Sequence, residues 1–312
     1  MRQRPGTELD WIEQRMIPGY TVGDERSGRR QEDLADNATV AYYLRLFVLG
    51  GLPLSEPDTS EVIRRAYGGA LKLTFLSPRE IGLPYGRAAR LIVLWLTTQV
   101  VRTQQRVIRL GSSFHRFCGA IGTTAITGKR ATTTSVMDQL IRLSKMSLHL
   151  DWVRPPARQE GGRGIYRSGH FKLTAETVYW WDVAKGAAAG PCYILLDEDF
   201  CQMVLNGPTP VDPQVIRALD SALAIDVYVF CTMRAYRLRR LRKPDTVSWA
   251  ELEEQFGSGF SRSRDFRREM KKALEKVLRF YPEVRVKPSP TGLTFLPFAT
   301  HIPSLDDSST RP

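Results

Sequence analysis

Residues 261–280 read SRSRDFRREMKKALEKVLRF, and their spacing predicts a helix with two unlike sides. Phe266, Met270, Ala273, Leu274, Val277 and Leu278 recur at three- and four-residue intervals, the period that lines one side of an α-helix. Arg264, Arg267, Arg268, Lys271 and Lys272 take the other side, with Glu269 and Glu275 the only acids after Asp265. Asp265 falls in the first turn, where a carboxylate favours the helix dipole, and Pro282 ends the run. A solvated face normally interleaves acids and bases at i,i+4, and the first two turns here hardly do so. Taken alone the pattern still fits a plain surface helix; the alternative is a basic face for a polyanion.

The flanking segments weigh on the choice. SWAELEEQFG, residues 248–257, predicts a short helix with Ser248 and Glu251 as a capping box and Gly257 as its stop. Downstream, VRVKPSPTGLTFLPF alternates on both sides of a Pro/Gly turn, which predicts a β-hairpin. Upstream lies a long helix, expected from about Pro213 to Leu238 with Leu219, Leu223, Ile225, Val229 and Met233 inward, then a basic turn RLRRLRKPD and a short extended segment.

The first half follows the same grammar. LKLTFL (71–76) alternates as a strand, a long helix is expected from Tyr85 to Gln104, and RVIRLG (106–111) is a short strand. Ser112 and Ser113 can cap a helix SFHRFCGAIG that stops at Gly122. A helix through GKRATTTSVMDQLIRLSKMSL follows, with Val136, Leu140, Leu143 and Met146 inward. LHLDWVR, a Gly- and Arg-rich turn RQEGGRG, FKLTAETVYWWDV and CYILLDEDF are expected strands. Long helix, short capped helix, longer helix and hairpin thus occur twice, the order of a winged helix. The expected fold is α+β, mainly α, with two tandem winged-helix domains. Boundaries fall at a flexible arm 1–37, a first domain 38–205 with extra strands, a linker 206–212 (within the NGPTPVDP cluster), a second domain 213–303 and a flexible tail 304–312.

The 312 residues carry 45 Lys and Arg against 33 Asp and Glu, a formal charge of +12 that attracts phosphate, acidic lipid or an acidic partner. The four cysteines (Cys118, Cys192, Cys201, Cys231) are far apart and in no metal-binding spacing, so they read as reduced core residues. The longest apolar run, LIVLWLTTQVV from Leu91, is broken by Thr97, Thr98 and Gln99, so no membrane span is expected. The N-terminal MRQRPGTELDW lacks the apolar stretch of a signal peptide, and a cytoplasmic protein is expected.

A helix that enters the major groove needs long donors in its first turns and an apolar stripe behind them. Residues 261–280 supply both: Arg262, Arg264 and Arg268 suit guanine edges or phosphate, Lys271 and Lys272 suit phosphate, and Arg267 belongs to the same DNA-binding face. In the first domain Lys129, Arg130, Thr132 and Thr133 open the equivalent helix with weaker charge. Arg240 and Lys243 lie in the second basic run, which serves equally as a helix C-terminus matching its dipole, and Arg285 and Lys287 sit on the wing. His115, His149, His170 and His301 stand alone, no P-loop is present, and the acids of LDEDF (196–200) read as a strand end or helix entry rather than a Mg²⁺ site. Neither a metal, a cofactor nor an enzymatic activity is expected.

The succession LPYGRAARLIVLWL, VIRLGSSFHRF, DQLIRL, SALAIDVYVF, VSWAELEEQFG, DFRREM and YPEVRVKPSPTGLTFLP resembles RepA-type plasmid replication initiators of Gram-negative bacteria, over about residues 70–300. The resemblance implies a protein that binds repeated origin sites, iterons, in double-stranded plasmid DNA through tandem winged helices. It also implies help in opening the duplex, recruitment of the host initiator and replicative helicase, and homodimers in equilibrium with monomers. Two other readings stand beside it: a winged-helix repressor or copy-control regulator, and a nicking or primase-like enzyme using a Tyr or the acids at 197–199.

Overall fold

The computed structural model describes residues 40–111, 113–123, 132–154, 165–178, 181–182, 187–188, 192–257 and 259–302. The expected arm at 1–37, the tail at 304–312, the turn RQEGGRG and the pair Lys129 and Arg130 lie outside them. In chain order the elements are β1 (Ala41–Tyr43), α1 (Arg45–Leu49), β2 (Glu61–Ala66), β3 (Leu71–Leu76), α2 (Gly86–Thr103), β4 (Val107–Arg109), α3 (Phe114–Ala120), α4 (Thr132–Lys145), β5 (Ser147–Arg154), β6 (Ile165–Lys172) and β7 (Thr174–Val178). Then come β8 (Trp181–Asp182), β9 (Ala187–Ala188), β10 (Tyr193–Leu196), α5 (Glu198–Leu205), β11 (Thr209–Val211), α6 (Pro213–Ala218), α7 (Ala222–Leu241), β12 (Asp245–Ser248), α8 (Trp249–Phe256), α9 (Ser263–Leu278), β13 (Val286–Pro288) and β14 (Gly292–Phe295). The fold is mixed α and β.

One topology occurs twice, and its details match closely. The long helices α2 and α7 each end on a non-glycine residue in the left-handed region, Gln104 at φ 53°, ψ 25° and Arg242 at φ 52°, ψ 24°. That conformation closes the helix and costs a side chain some strain, so its recurrence at one topological point is informative. A strand follows, β4 or β12, and then a serine N-cap: Ser113 Oγ accepts from Arg116 N–H and Ser248 Oγ from Glu251 N–H, both at 3.2 Å. Each short helix leads to a longer one and then to two antiparallel strands. The three-stranded sheets run β4-β10-β7 and β12-β14-β13, with the last strand central in both.

The first unit is interrupted where sequence periodicity suggested a simple hairpin. Strands β5 and β6 follow α4, but they join β2 and β3 in a separate antiparallel sheet of order β2-β3-β5-β6. The counterpart of the β13–β14 hairpin is therefore β7 with β10, and FKLTAETVYWWDV is divided between β6, β7 and β8. Strand β2 begins at the end of the Pro- and acid-rich stretch LPLSEPDTSEV (52–62). Its inward positions are Val62, Arg64 and Ala66, and a buried arginine in the middle hides the alternation.

Two further expectations change. The helix from Pro213 to Leu238 is two helices, broken where Leu219 turns extended and Ser221 caps α7 by accepting from Ala224 N–H at 3.1 Å. The continuous apolar period across the break conceals that cap. The stretch 206–212, read as a linker, contains β11, which pairs antiparallel with β1 and places Thr209 and Val211 in the core. The basic turn at 237–245 is largely helix, since α7 runs to Leu241.

The two repeated units share one core. Arg90 of α2, fully buried, makes a double ion pair with Asp226 of α7, at 2.7 Å from Nε to Oδ1 and 2.5 Å from Nη2 to Oδ2. Its remaining donors reach the carbonyls of Leu52, Pro53 and Gly86 at 2.6–3.1 Å. Burial works against the Arg90 charge, but Asp226 more than offsets it and holds the guanidinium above its ordinary value. The segment 48–53 is threaded between the halves: Gln255 Nε2 donates to Val48 O at 2.6 Å and Arg64 Nε to Gly51 O at 2.9 Å.

Candidate nucleic-acid interface

Helix α9 buries Phe266, Met270, Ala273, Leu274 and Val277, the stripe its spacing predicted, while Leu278 is only half-buried. Phe266 is fully buried with its ring edge-on to Phe260 at 5.6 Å. The helix packs on α7 and α8. Arg262, Arg264, Arg267, Arg268, Lys271 and Lys272 are all exposed, with Arg262 at the N-cap position.

Their charges are not equivalent. Arg268 pairs with Asp265 at 2.9 Å and with Glu269 at 3.2 Å, and Lys272 pairs with Glu269 at 2.9 Å. The hydrogen bonds from Lys272 and Arg268 hold the Glu269 carboxyl below its ordinary value. Arg267 and Lys271 stand one turn apart over the ring of Trp249, at 5.7 and 5.9 Å from its centre, within cation–π range. Among the described residues no carboxylate pairs with Arg262 or Arg264, the two arginines nearest the helix start.

The neighbouring hairpin is built against the same place. Trp249 N–H donates to Thr291 O and its indole Nε1–H to Ser289 O, both at 3.0 Å. Strand β14 passes so close to β12 at Gly292 that a Cβ would press on the Val247 carbonyl and lie 2.8 Å from Ser248 Cα, which excludes any side chain. Pro288 ends β13, an edge strand, where a missing N–H breaks no ladder. Arg285 and Lys287 are exposed on this hairpin. The cap beneath it is reciprocal: Ser248 N–H and Oγ–H both donate to Glu251 Oε2, at 2.9 and 2.8 Å. Replacing Ser248 by Ala is expected to cost about 1 kcal/mol in urea unfolding, the usual value of a lost N-cap.

Elsewhere the predicted residues scatter. Arg240 and Lys243 are exposed around the C-terminus of α7, while Arg237 of the same run and Arg234, one turn earlier on α7, turn inward to Asp245. Thr132 and Thr133 begin α4. Further along α4 the LPYG block holds the helix: Tyr85 N–H donates to Gln139 Oε1 at 2.7 Å, Arg142 donates to Leu83 O at 3.3 Å and its guanidinium lies 5.2 Å from the Tyr85 ring. Arg142 also pairs with Glu56 and Asp138.

The acids of LDEDF enter a helix: Asp197 caps α5 by accepting from Asp199 N–H at 3.0 Å, and Glu198 and Asp199 occupy its first turn. Among the described residues no group of three His, Cys, Asp or Glu is placed to hold a metal ion, and no helix is long and apolar enough to cross a membrane. Burial pushes the Cys118 and Cys201 thiols up to about 11 and Cys231 to about 12, so they stay protonated at neutral pH.

The sequence model of a family described as plasmid-encoded RepA protein matches residues 83–251, more than half of the chain. No curated protein sequence matches. Among solved structures, domains 2 and 3 of RctB, as selenomethionine derivatives, align at TM-score 0.52 and 11% identity, covering 83% of this chain and 96% of that one. A second crystal structure of RctB domains 2–3 aligns at TM-score 0.48 and 12% identity, over 80% of this chain and 94% of that one.

Proposed function

This chain belongs to the family of plasmid-encoded RepA proteins, and on that premise we propose that it is a replication initiator that binds repeated sites in plasmid origin DNA through two winged helices. The observation that carries the reading is the twice-used topology, strand, short capped helix, longer helix and two strands, with the exposed basic side of α9 beside the β13–β14 hairpin. In such a unit the longer helix enters the major groove and the hairpin flanks it. Helix α9 is the reading helix of the second unit and α4 that of the first. Phosphate contacts supply most of the affinity and make it steeply salt-dependent, while base contacts supply the sequence preference.

The division of charge on α9 ranks its residues. Arg268 and Lys272 must release Asp265 and Glu269 before they can serve DNA, whereas Arg262 and Arg264 carry no such cost. Arg264→Ala is expected to weaken binding to the cognate site by about 1–3 kcal/mol and to relax its sequence preference; Arg268→Ala is expected to do less. Quantitative footprinting on the protein's own plasmid origin reads both effects, and an unchanged footprint and affinity in Arg264→Ala, Arg268→Ala and Lys271→Ala alike removes α9 from the interface.

Opening of the duplex, recruitment of host initiator and helicase, and exchange between homodimer and monomer belong to the same proposal. So does a cytoplasmic, plasmid-associated protein that acts without catalysing a reaction itself. Origin-dependent maintenance of a reporter plasmid tests it. A protein that represses its promoter but never sustains replication is a copy-control regulator instead, and Mg²⁺-dependent cleavage of origin DNA, lost in Asp197→Asn, would establish an enzyme.

A further inference from the structure

Trp249 touches the basic face of α9 and the turn of the neighbouring hairpin at once. It is 3% exposed, yet it occupies the first position of α8, where a core anchor needs no polar group. The ring lies within cation–π reach of the Arg267 guanidinium and the Lys271 ammonium, and its indole N–H donates to Ser289 O. Its backbone N–H donates to Thr291 O. Long cationic side chains in water sample many rotamers, and their freezing opposes any contact they make. A ring that already holds two of them removes much of that cost before a ligand arrives.

We infer that Trp249 is a positioning residue that pre-orients Arg267 and Lys271 and locks them to the 289–292 turn as one phosphate-binding surface. The inference rests on the DNA-binding reading above and deepens it. It assigns Arg267 and Lys271 to the DNA backbone and leaves Arg262 and Arg264 as the side chains free to meet base edges. Two stacked cations facing a polyanion keep their full charge, because a ring, unlike a carboxylate, does not neutralise them.

The test is a double-mutant cycle on the full chain, titrated with the cognate origin site and with random-sequence DNA of equal length over a range of salt. Arg267→Ala/Lys271→Ala, at two exposed positions, should lower the slope of log affinity against log salt by about two on both DNAs. Trp249→Leu should weaken both affinities by about tenfold and leave their ratio intact. Trp249→Phe, which keeps a ring face but lacks the indole N–H, should recover most of that loss. In the Arg267→Ala/Lys271→Ala background Trp249→Leu should add nothing.

An unchanged salt slope in Arg267→Ala/Lys271→Ala overturns the inference whatever the tryptophan variants do, so a misfolded Trp249→Leu does not protect it. Additive losses, or a collapse of the cognate-to-random ratio in Trp249→Phe, overturn it as well. If the unaltered protein binds neither DNA, the functional reading falls and takes this inference with it. If it binds and only the cycle is additive, the functional reading stands without it.

Discussion

Arg90→Met should lower the unfolding free energy by about 3–5 kcal/mol, the range for breaking one partner out of a buried ion pair. The substitution preserves much of the arginine's length, so packing is not the main loss. What remains is the Asp226 carboxylate, almost fully shielded from water, together with the Leu52 and Pro53 carbonyls that Arg90 now serves. Each is an acceptor without its donor, and each unsatisfied group costs its own desolvation. Arg90→Met/Asp226→Leu should recover part of the loss, because it removes the uncompensated charge while the Leu52 and Pro53 carbonyls still lack their donor. Urea denaturation of the wild type, both single variants and the pair measures the coupling. A single variant that unfolds at the wild-type midpoint would mean the pair is open to solvent.

Phe266→Ala should cost a similar amount, about 3–5 kcal/mol, because the ring is fully buried and leaves a cavity between α9 and its support. The position makes the variant informative beyond stability. Phe266 lies two residues from Arg264 and packs on Phe260, in the connection between α8 and α9. A looser anchor there frees the first turns of α9, whose side chains face away from the core. DNA affinity should therefore fall even at temperatures where the variant stays folded. Circular dichroism melts paired with binding titrations at low temperature separate the two effects; a variant that melts early but binds DNA with unaltered affinity would show that the anchor does not set the reading geometry.

Much of the second unit is legible in the chain because its signals are local. The capping box of Ser248 and Glu251, the stripe of α9 and the Pro/Gly hairpin each lie within a few residues, where period and cap chemistry act. What escapes is non-local or cryptic. Arg90 and Asp226 are 136 positions apart and neither belongs to a pattern that predicts burial. Strand β2 hides its alternation behind Arg64, and Ser221 hides a helix start inside an unbroken apolar period. The insertion of β5 and β6 ahead of β7 cannot be separated from a plain hairpin until the sheet partners are known.

The candidate site repeats this division. Exposure of Arg264, Arg267, Arg268, Lys271 and Lys272 on α9 follows from helical period alone. Their inequality does not: Asp265 with Arg268 and Glu269 with Lys272 are i,i+3 pairs, which a count of i,i+4 spacings overlooks. Trp249 reads as a core residue of a short helix, since nothing in SWAELEEQFG reveals that its ring supports charges contributed by the next helix.

The pairing of β1 with β11 and the Arg90–Asp226 bridge tie the two repeated units to each other. A protein so built is a ruler rather than a pair of beads on a string. On the proposed reading, the two halves of each DNA site must present their grooves at one distance and one rotational phase. A lost or gained base pair between them would turn one half-site by about a tenth of a helical turn. The spacer would then be held constant in length while its own bases drift, and a family of such origins should be recognisable by its rhythm before its letters.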